Sequence, residues 1–369
     1  MKSSIKFIVI CSLMLLGMHV VQAMACTGMR VVSSDAEKER AVTFARTLEF
    51  GTPSEAGFLF APAKKDWVSS GPDGSDGLTW TNQYAFMGPN AFGEKMVIDG
   101  INEKGLYIGA FWFARIAKYQ TVPETDTAKA IAPWLVSAWV LGNCASLDEV
   151  AQKIREIKIV DVVFEKLQSS LPMHWIVMDN TGKCLVIEPI NGEIVISDNP
   201  VGVFTNAPSL PWHLQNLSNY MNLSPDYLKE ATVNGYPVYP AGEGAGMLGL
   251  PGDFTPPSRF VRAALLTNAA EKESGIENTI NLAFLLISNI SIAKGVVRTV
   301  ESDGTDASDY TQWTGVYDFN RLRFYFKTYN NQNISMVDFN TLKSQHTDFA
   351  QMDIYTVKPA YTDVTGQME

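Results

Sequence analysis

The stretch "HWIVMDNTGKCLVIEPINGEIVISDNPVGVFTNAP", from His174 to Pro208, does most to limit the folds open to this chain. Its apolar runs are broken by the turn sequences "DNTGK" and "INGE", the pattern of an antiparallel meander. Similar language recurs at both ends. "CTGMRVV" and "AVTFARTLEF" read as strands joined by the charged turn "SSDAEKER", and "KMVIDGINEKGLYIGAFWF" reads as a hairpin turning at Asn102–Gly105. The C-terminal "YTQWTGVYDFNRLRFYFKTYNNQNISMVDF" is aromatic and β-branched, with turns at Asp318–Asn320 and Asn330–Asn331.

Helical patterns stand between these blocks. "TDTAKAIAPWLVSAWVLGN" carries an apolar face and stops at Gly142-Asn143, and "SLDEVAQKIREI" opens with a capping box from Ser146 to Glu149. "RFVRAALLTNAAEKE" follows Pro256 and Pro257, and "IENTINLAFLLISNI" comes next. Strands and helices in separate blocks predict an α+β layered fold rather than alternating βαβ units. No internal repeat, low-complexity tract or linker divides the chain.

The first 25 residues have a different character. Lys2 and Lys6 precede an apolar run from Phe7 to Met18, and Ala23-Met24-Ala25 closes the segment. These are the three parts of a secretory signal, and the run is shorter than the roughly 20 residues of a spanning helix. The expected boundaries are therefore a signal at 1–25 and one domain at 26–369, periplasmic or secreted, with no membrane span. The full chain has 29 basic and 39 acidic residues. Loss of Lys2 and Lys6 leaves a balance of −12, which opposes binding to nucleic acid or an anionic membrane.

Removing Cys11 leaves Cys26, Cys144 and Cys184, an odd number for an exported chain. Cys144 and Cys184 could pair or stay as separate buried thiols. No Cys-x-x-Cys or His-x-x-x-His pattern exists, so no structural zinc site is expected. "GEGAGMLGLPGDF" contains Gly244-x-Gly246-x-x-Gly249, but no clear strand precedes it and Pro251 follows, so it reads as a loop near the site and not a dinucleotide cradle.

Cys26 follows the Ala-x-Ala step directly. It could be a lipid anchor, a structural thiol or a nucleophile exposed by cleavage. Ala23 stands where lipoprotein signals usually place Leu. After cleavage one residue would carry a thiol, ordinary pKa about 8.5, and an α-amine near 7.7–8.0. The amine can then serve as the thiol's base without a histidine. His174, His213 and His346 lie in no recognisable cysteine-protease signature.

Five ordered blocks, "CTGMR", "FARTLEF", "DGINEKGLYIGAFWF", "NPVGVFTNAPSLPWHLQNL" and "GLPGDFTPPSRFVRAA", resemble the choloylglycine hydrolase family, which includes bile salt hydrolases and penicillin V acylases. The resemblance implies an N-terminal-nucleophile hydrolase with a four-layer αββα sandwich of two antiparallel sheets. It implies Cys26 as nucleophile, Arg46 beside the thiol, Glu49 orienting the amine where many members carry Asp, Asn206 donating to the oxyanion, and Arg259 holding the surroundings. Trp112 stands where other members carry Asn or Tyr and fits an exported Gram-negative branch; it either donates to the oxyanion or walls the acyl pocket with Phe111 and Phe113. The implied substrate is a small molecule in which a linear amide joins a bulky apolar acyl group to an amine, and neither metal nor organic cofactor is implied. Conjugated bile salts rank first, with penicillin V and N-acyl homoserine lactones as alternatives. A homo-oligomer is expected, with a tetramer favoured. From another class, a non-catalytic exported binding protein or lipoprotein remains an alternative.

Overall fold

The computed structural model describes residues 25–123, 126–300 and 305–368; the leader and Cys11 lie outside them. Among the described residues, two large antiparallel sheets account for most of the strands. The first runs, edge to edge, through Val203–Phe204, Ala25–Val32, Val42–Phe50, Asp306–Asp318, Arg323–Thr328 and Asn331–Asp338, with Val297–Val300 also paired to the long fourth strand. The second runs through Glu193–Asp198, Cys184–Ile190, Met173–Met178, Tyr107–Trp112, Asp99–Asn102, Phe86–Pro89, Gly57–Ala61 and Ala350–Asp353. The meander read at His174–Pro208 therefore forms three strands of the second sheet, and its last strand crosses to the first.

Aromatic side chains join the two inner faces. Phe44 of the first sheet meets Tyr107 of the second at 4.8 Å between ring centroids, Phe324 meets Phe58 at 5.3 Å, and Phe204 meets Phe111 at 5.0 Å. Helices Pro256–Ala269 and Ile276–Ser288 cover the outer face of the first sheet, and Val136–Asn143 packs on strands Asp99–Asn102 and Tyr107–Trp112 of the second. The layers are thus α, β, β, α, the fold expected. Every residue of strand Val42–Phe50 is buried because it is central and covered on both faces. It nonetheless contains Thr43, Arg46, Thr47 and Glu49, and buried polar groups demand partners.

Two local expectations shift. Within the apolar run that ends at Asn143, the α-helix covers only Val136–Asn143, with single 3-10 turns at Thr127–Lys129 and Pro133–Leu135 before it. Pro133 lacks an N–H and biases the residue before it toward extended backbone, so Ala130–Ile131 pairs instead with Lys158–Ile159. The capping box does form. Ser146 Oγ accepts from Glu149 N at 3.2 Å, Glu149 Oε2 takes the Ala145 N–H, and the helix ends at Lys153. Cys26, Cys144 and Cys184 are buried and unpaired, so the two spare thiols do not form a disulfide. No helix among the described residues is long and apolar enough to cross a membrane.

Sheet packing is tight at Gly28, two residues from Cys26. A Cβ there would fall 2.5 Å from Phe44 Cζ and 3.1 Å from Phe111 Cζ, both in buried rings. Gly28→Ala should therefore lower stability by about 1–3 kcal/mol in urea unfolding, the usual cost of overpacking. An unchanged unfolding midpoint would show that the two rings can yield.

Candidate active site

The strands Ala25–Val32 and Val42–Phe50 pair with Ala25 opposite Glu49, Cys26 opposite Leu48, Thr27 opposite Thr47 and Gly28 opposite Arg46. Side chains alternate between faces. Cys26 and Arg46 therefore point into the space between the sheets, whereas Thr27, Thr47 and Glu49 point toward the helices.

Arg46 is completely buried. Its Nη2 donates to Cys26 Sγ at 3.3 Å and to the Ala110 carbonyl at 3.1 Å, and its Nη1 lies 3.4 Å from Asp99 Oδ2. The guanidinium also sits 4.4 Å over the Phe111 ring, a favourable cation–π distance. Asp99 in turn accepts from the Tyr107 and Tyr317 hydroxyls at 3.2 Å each. Burial pushes the Cys26 thiol up; Arg46 opposes that rise, Glu49 adds to it and Arg259 opposes it. The arginine does favour thiolate, but desolvation outweighs it.

Arg259 approaches from the helix side. Pro256 and Pro257 open its helix, where their missing N–H groups cost nothing. In the first turn, Arg259 Nη1 donates to the Cys26 carbonyl and to Thr27 Oγ1, both at 2.6 Å, and Nη2 donates to Asn206 Oδ1 at 2.7 Å. Asn206 Oδ1 also accepts the Cys26 N–H at 2.9 Å. Its side-chain nitrogen donates to the Trp112 carbonyl at 3.0 Å. An asparagine amide has two N–H donors, so a second remains to serve a ligand.

Glu49 is also wholly buried. A bulge opposite Leu48 and Glu49 leaves Gln312 as the extra residue and sets Thr311 across from the carboxyl. Thr311 Oγ1 donates to Oε1 at 2.6 Å and Thr47 Oγ1 to Oε2 at 3.1 Å. Burial raises the Glu49 pKa to about 7, against the opposing pull of Arg259 and the two hydroxyls.

Beside the Arg46–Ala110 contact runs a cleft lined by Leu48, Phe92, Phe111, Trp112, Leu171 and Met173 among others, with Ser54 its one hydroxyl. At about 20 Å³ it holds little more than one water. Trp112 Nε1 is buried there without a hydrogen-bond partner among the described residues. Phe113 is not among the residues lining this cleft. It is stacked on His174 at 4.1 Å and 11°.

The structure thus brings Cys26, Arg46, Asn206 and Arg259 into direct contact and sets Glu49 one residue away in the ladder. Sequence reasoning missed Asp99, Tyr107, Tyr317 and Thr311. The lone carboxylate inside the apolar run "MVIDGI" was a usable signal for Asp99. The glycine-rich segment forms only a short turn at Ala245–Met247, with no helix to cradle a phosphate. Among the described residues no cluster of three His, Cys, Asp or Glu could hold a metal.

The raised Glu49 pKa has a definite sign in stability. Between its ordinary value of 4.5 and about 7, the folded chain keeps a proton that the unfolded chain has lost, so stability falls as pH rises through that window. Glu49→Gln cannot ionise and escapes the loss. Its melting temperature should climb relative to wild type from pH 4.5 to about 7 and hold a constant gap above. A pH-independent gap would contradict the assignment.

Comparison with known proteins agrees with this geometry. Residues 26–353 match the family described as linear amide C–N hydrolases, choloylglycine hydrolase family. The bile salt hydrolase/transferase of Clostridium perfringens is 30% identical over 319 residues, spanning 85% of this chain and 92% of the relative. The penicillin V acylase of Pectobacterium atrosepticum is 27% identical, spanning 89% and 85%. The crystal structure of a variant of the conjugated bile acid hydrolase from C. perfringens superposes with a TM-score of 0.78 at 27% identity, covering 92% of this chain and all of that one. The penicillin V acylase structure from Agrobacterium tumefaciens, at 21% identity and a TM-score of 0.70, shares the fold. With this match from Cys26 through most of the described chain, the protein belongs to the choloylglycine hydrolase family of linear amide C–N hydrolases.

Proposed function

We propose that removal of residues 1–25 during export makes Cys26 the first residue, and that its thiol is the nucleophile of an amide hydrolase acting in the periplasm or outside the cell. One observation carries this reading: three atoms of the same residue are held by three different side chains. Asn206 takes its nitrogen, Arg259 its carbonyl oxygen and Arg46 its sulfur. A thiol used only for packing would need none of this. The family match beginning at Cys26 supports the same assignment.

In this mechanism the α-amine accepts the thiol proton and the thiolate attacks the amide carbon. The second N–H of Asn206, together with a backbone N–H, stabilises the oxyanion; fixed donors of this kind typically contribute about 3–4 kcal/mol. The ammonium then protonates the leaving nitrogen as the C–N bond breaks, and Glu49 holds the amine in place. Water, deprotonated by the amine, hydrolyses the thioester and restores the thiol.

The acyl group is apolar, matching the cleft beside Trp112 and Phe111. Conjugated bile salts rank first, since relatives covering more than four fifths of the chain are named for bile salt hydrolysis. The second reading is a penicillin V or N-acyl homoserine lactone substrate, with a phenoxyacetyl or fatty acyl group; a relative matched over 89% of this chain is named penicillin V acylase. Assays of glycocholate, taurocholate, penicillin V and an acyl homoserine lactone on one preparation separate these readings. The exported protein should begin at Cys26 by intact mass, and Cys26→Ala should lose all amide turnover. A lipid adduct on Cys26, or turnover retained by Cys26→Ala, defeats the proposal.

We also propose a homo-oligomer, with a tetramer as the expected state. A small hairpin, Ala231–Val233 with Tyr236–Val238, leaves Val233, Tyr236 and the neighbouring Tyr239 more than half exposed. Contiguous apolar surface of this sort marks contact sites, and a second copy is the occupant proposed here. Light scattering should give a multiple of the chain mass that falls when Tyr236 and Tyr239 become Ser; a wild-type monomer refutes it.

A further inference from the structure

Behind Asn206 lies a buried polar cluster that the proposed chemistry does not use: His174, Glu188 and His213. The strand Val203–Phe204 pairs with the Cys26 strand and then ends. The next two carbonyls, of Thr205 and Asn206, are each taken by an imidazole. His174 Nε2 lies 3.0 Å from Thr205 O, and His213 Nε2 lies 2.9 Å from Asn206 O. A carbonyl oxygen only accepts, so both rings must carry a proton on Nε2.

Each ring is itself fixed. His174 Nδ1 faces Glu188 Oε1 at 3.3 Å, and the same carboxylate oxygen accepts the Leu210 N–H at 3.1 Å. Leu210 begins helix Leu210–Asn216, which carries His213. Phe113 is stacked on His174, and Phe260 is stacked on His213 at 4.6 Å and 14°. Phe113 follows Trp112 and Phe260 follows Arg259. The cluster therefore ties together the backbone beside two of the three residues that the Asn206 side chain meets, Trp112 and Arg259.

The geometry points to His213 and His174 as positioning residues that fix two successive peptide planes so that the Asn206 amide meets Cys26 N and Arg259 together. This rests on the reading that Asn206 serves the reaction. Neither imidazole touches Cys26, so neither is the proton carrier. Burial lowers the His213 pKa to about 4, which keeps the ring neutral and its Nε2–H in place at neutral pH. Displacement of a catalytic group by about 1 Å can cost about 100-fold in rate.

The test compares His213→Phe, which keeps the ring shape but loses the donor, with His213→Gln, whose amide can replace it. His213→Phe should lower kcat by about 10- to 100-fold with KM within about twofold, and His213→Gln should recover most of that loss. Equal losses in the two variants, or wild-type kcat in a folded His213→Phe, overturn the inference. Should His213→Phe not fold, ¹H–¹⁵N spectra of wild type decide: both rings must show Nε2–H, and an Nδ1–H tautomer at His213 overturns it. Asn206→Ala serves as the control. If it is inactive while His213→Phe is not, this inference alone fails; if it keeps full turnover, the reading of Asn206 beneath it fails as well.

Discussion

A guanidinium sealed between two sheets is the constraint around which this site is built. Arg46 is out of contact with water, and its charge is offset by Asp99, the Ala110 carbonyl, the Cys26 sulfur and the Phe111 ring. Removing one member of such a buried pair typically costs about 3–5 kcal/mol, because the other charge is left stranded. Asp99 cannot drift, since tyrosines from both sheets hold it, and the Tyr107 and Tyr317 rings pack against each other at 4.9 Å with a tilt of 56°. The sulfur is thus located by the same contacts that hold the sheets together.

The helix side follows a different logic. Arg259 spends its donors on backbone and neutral oxygen, at Cys26, Thr27, Asn206 and Phe254, and not on a carboxylate. Its charge reaches Glu49 through space and pulls the carboxyl pKa down against burial. Two arginines on opposite faces of one strand therefore divide the work: one addresses the sulfur, the other the peptide around it.

Much of this was legible in the sequence for a physical reason. Apolar runs ended by Asn-Gly or Asp-Asn turns fix antiparallel pairing locally, so the meander at Met173–Asp198 and the hairpin at Asp99–Trp112 could be read directly. Cys26, Arg46, Glu49, Asn206 and Arg259 stand in blocks with a recognisable order. Tyr317 and Thr311 carry no such mark, and Asp99, though it opens one of those blocks, does not announce its partner: Arg46 meets Asp99 from 53 positions away and Glu49 meets Thr311 across 262. His174 and His213 are single polar residues in otherwise ordinary segments, and only the folded chain shows that both end on neighbouring carbonyls. The shortened helix at Val136–Asn143 is the reverse case, where Pro133 was visible and its local veto underrated.

The ladder between the first two strands is continuous from Val32 to Ala25, with Ala25 already seated across from Glu49. The register that frames Cys26 is therefore already present in the uncut chain. On the proposed processing, the cut swaps a neutral peptide linkage for an ammonium at a place prepared in advance, held by Asn206 and one residue along the ladder from the position opposite Glu49. Maturation then becomes an electrical event instead of a mechanical one: the strand register around Cys26 stays as it is, and what changes at that residue is the charge on its nitrogen.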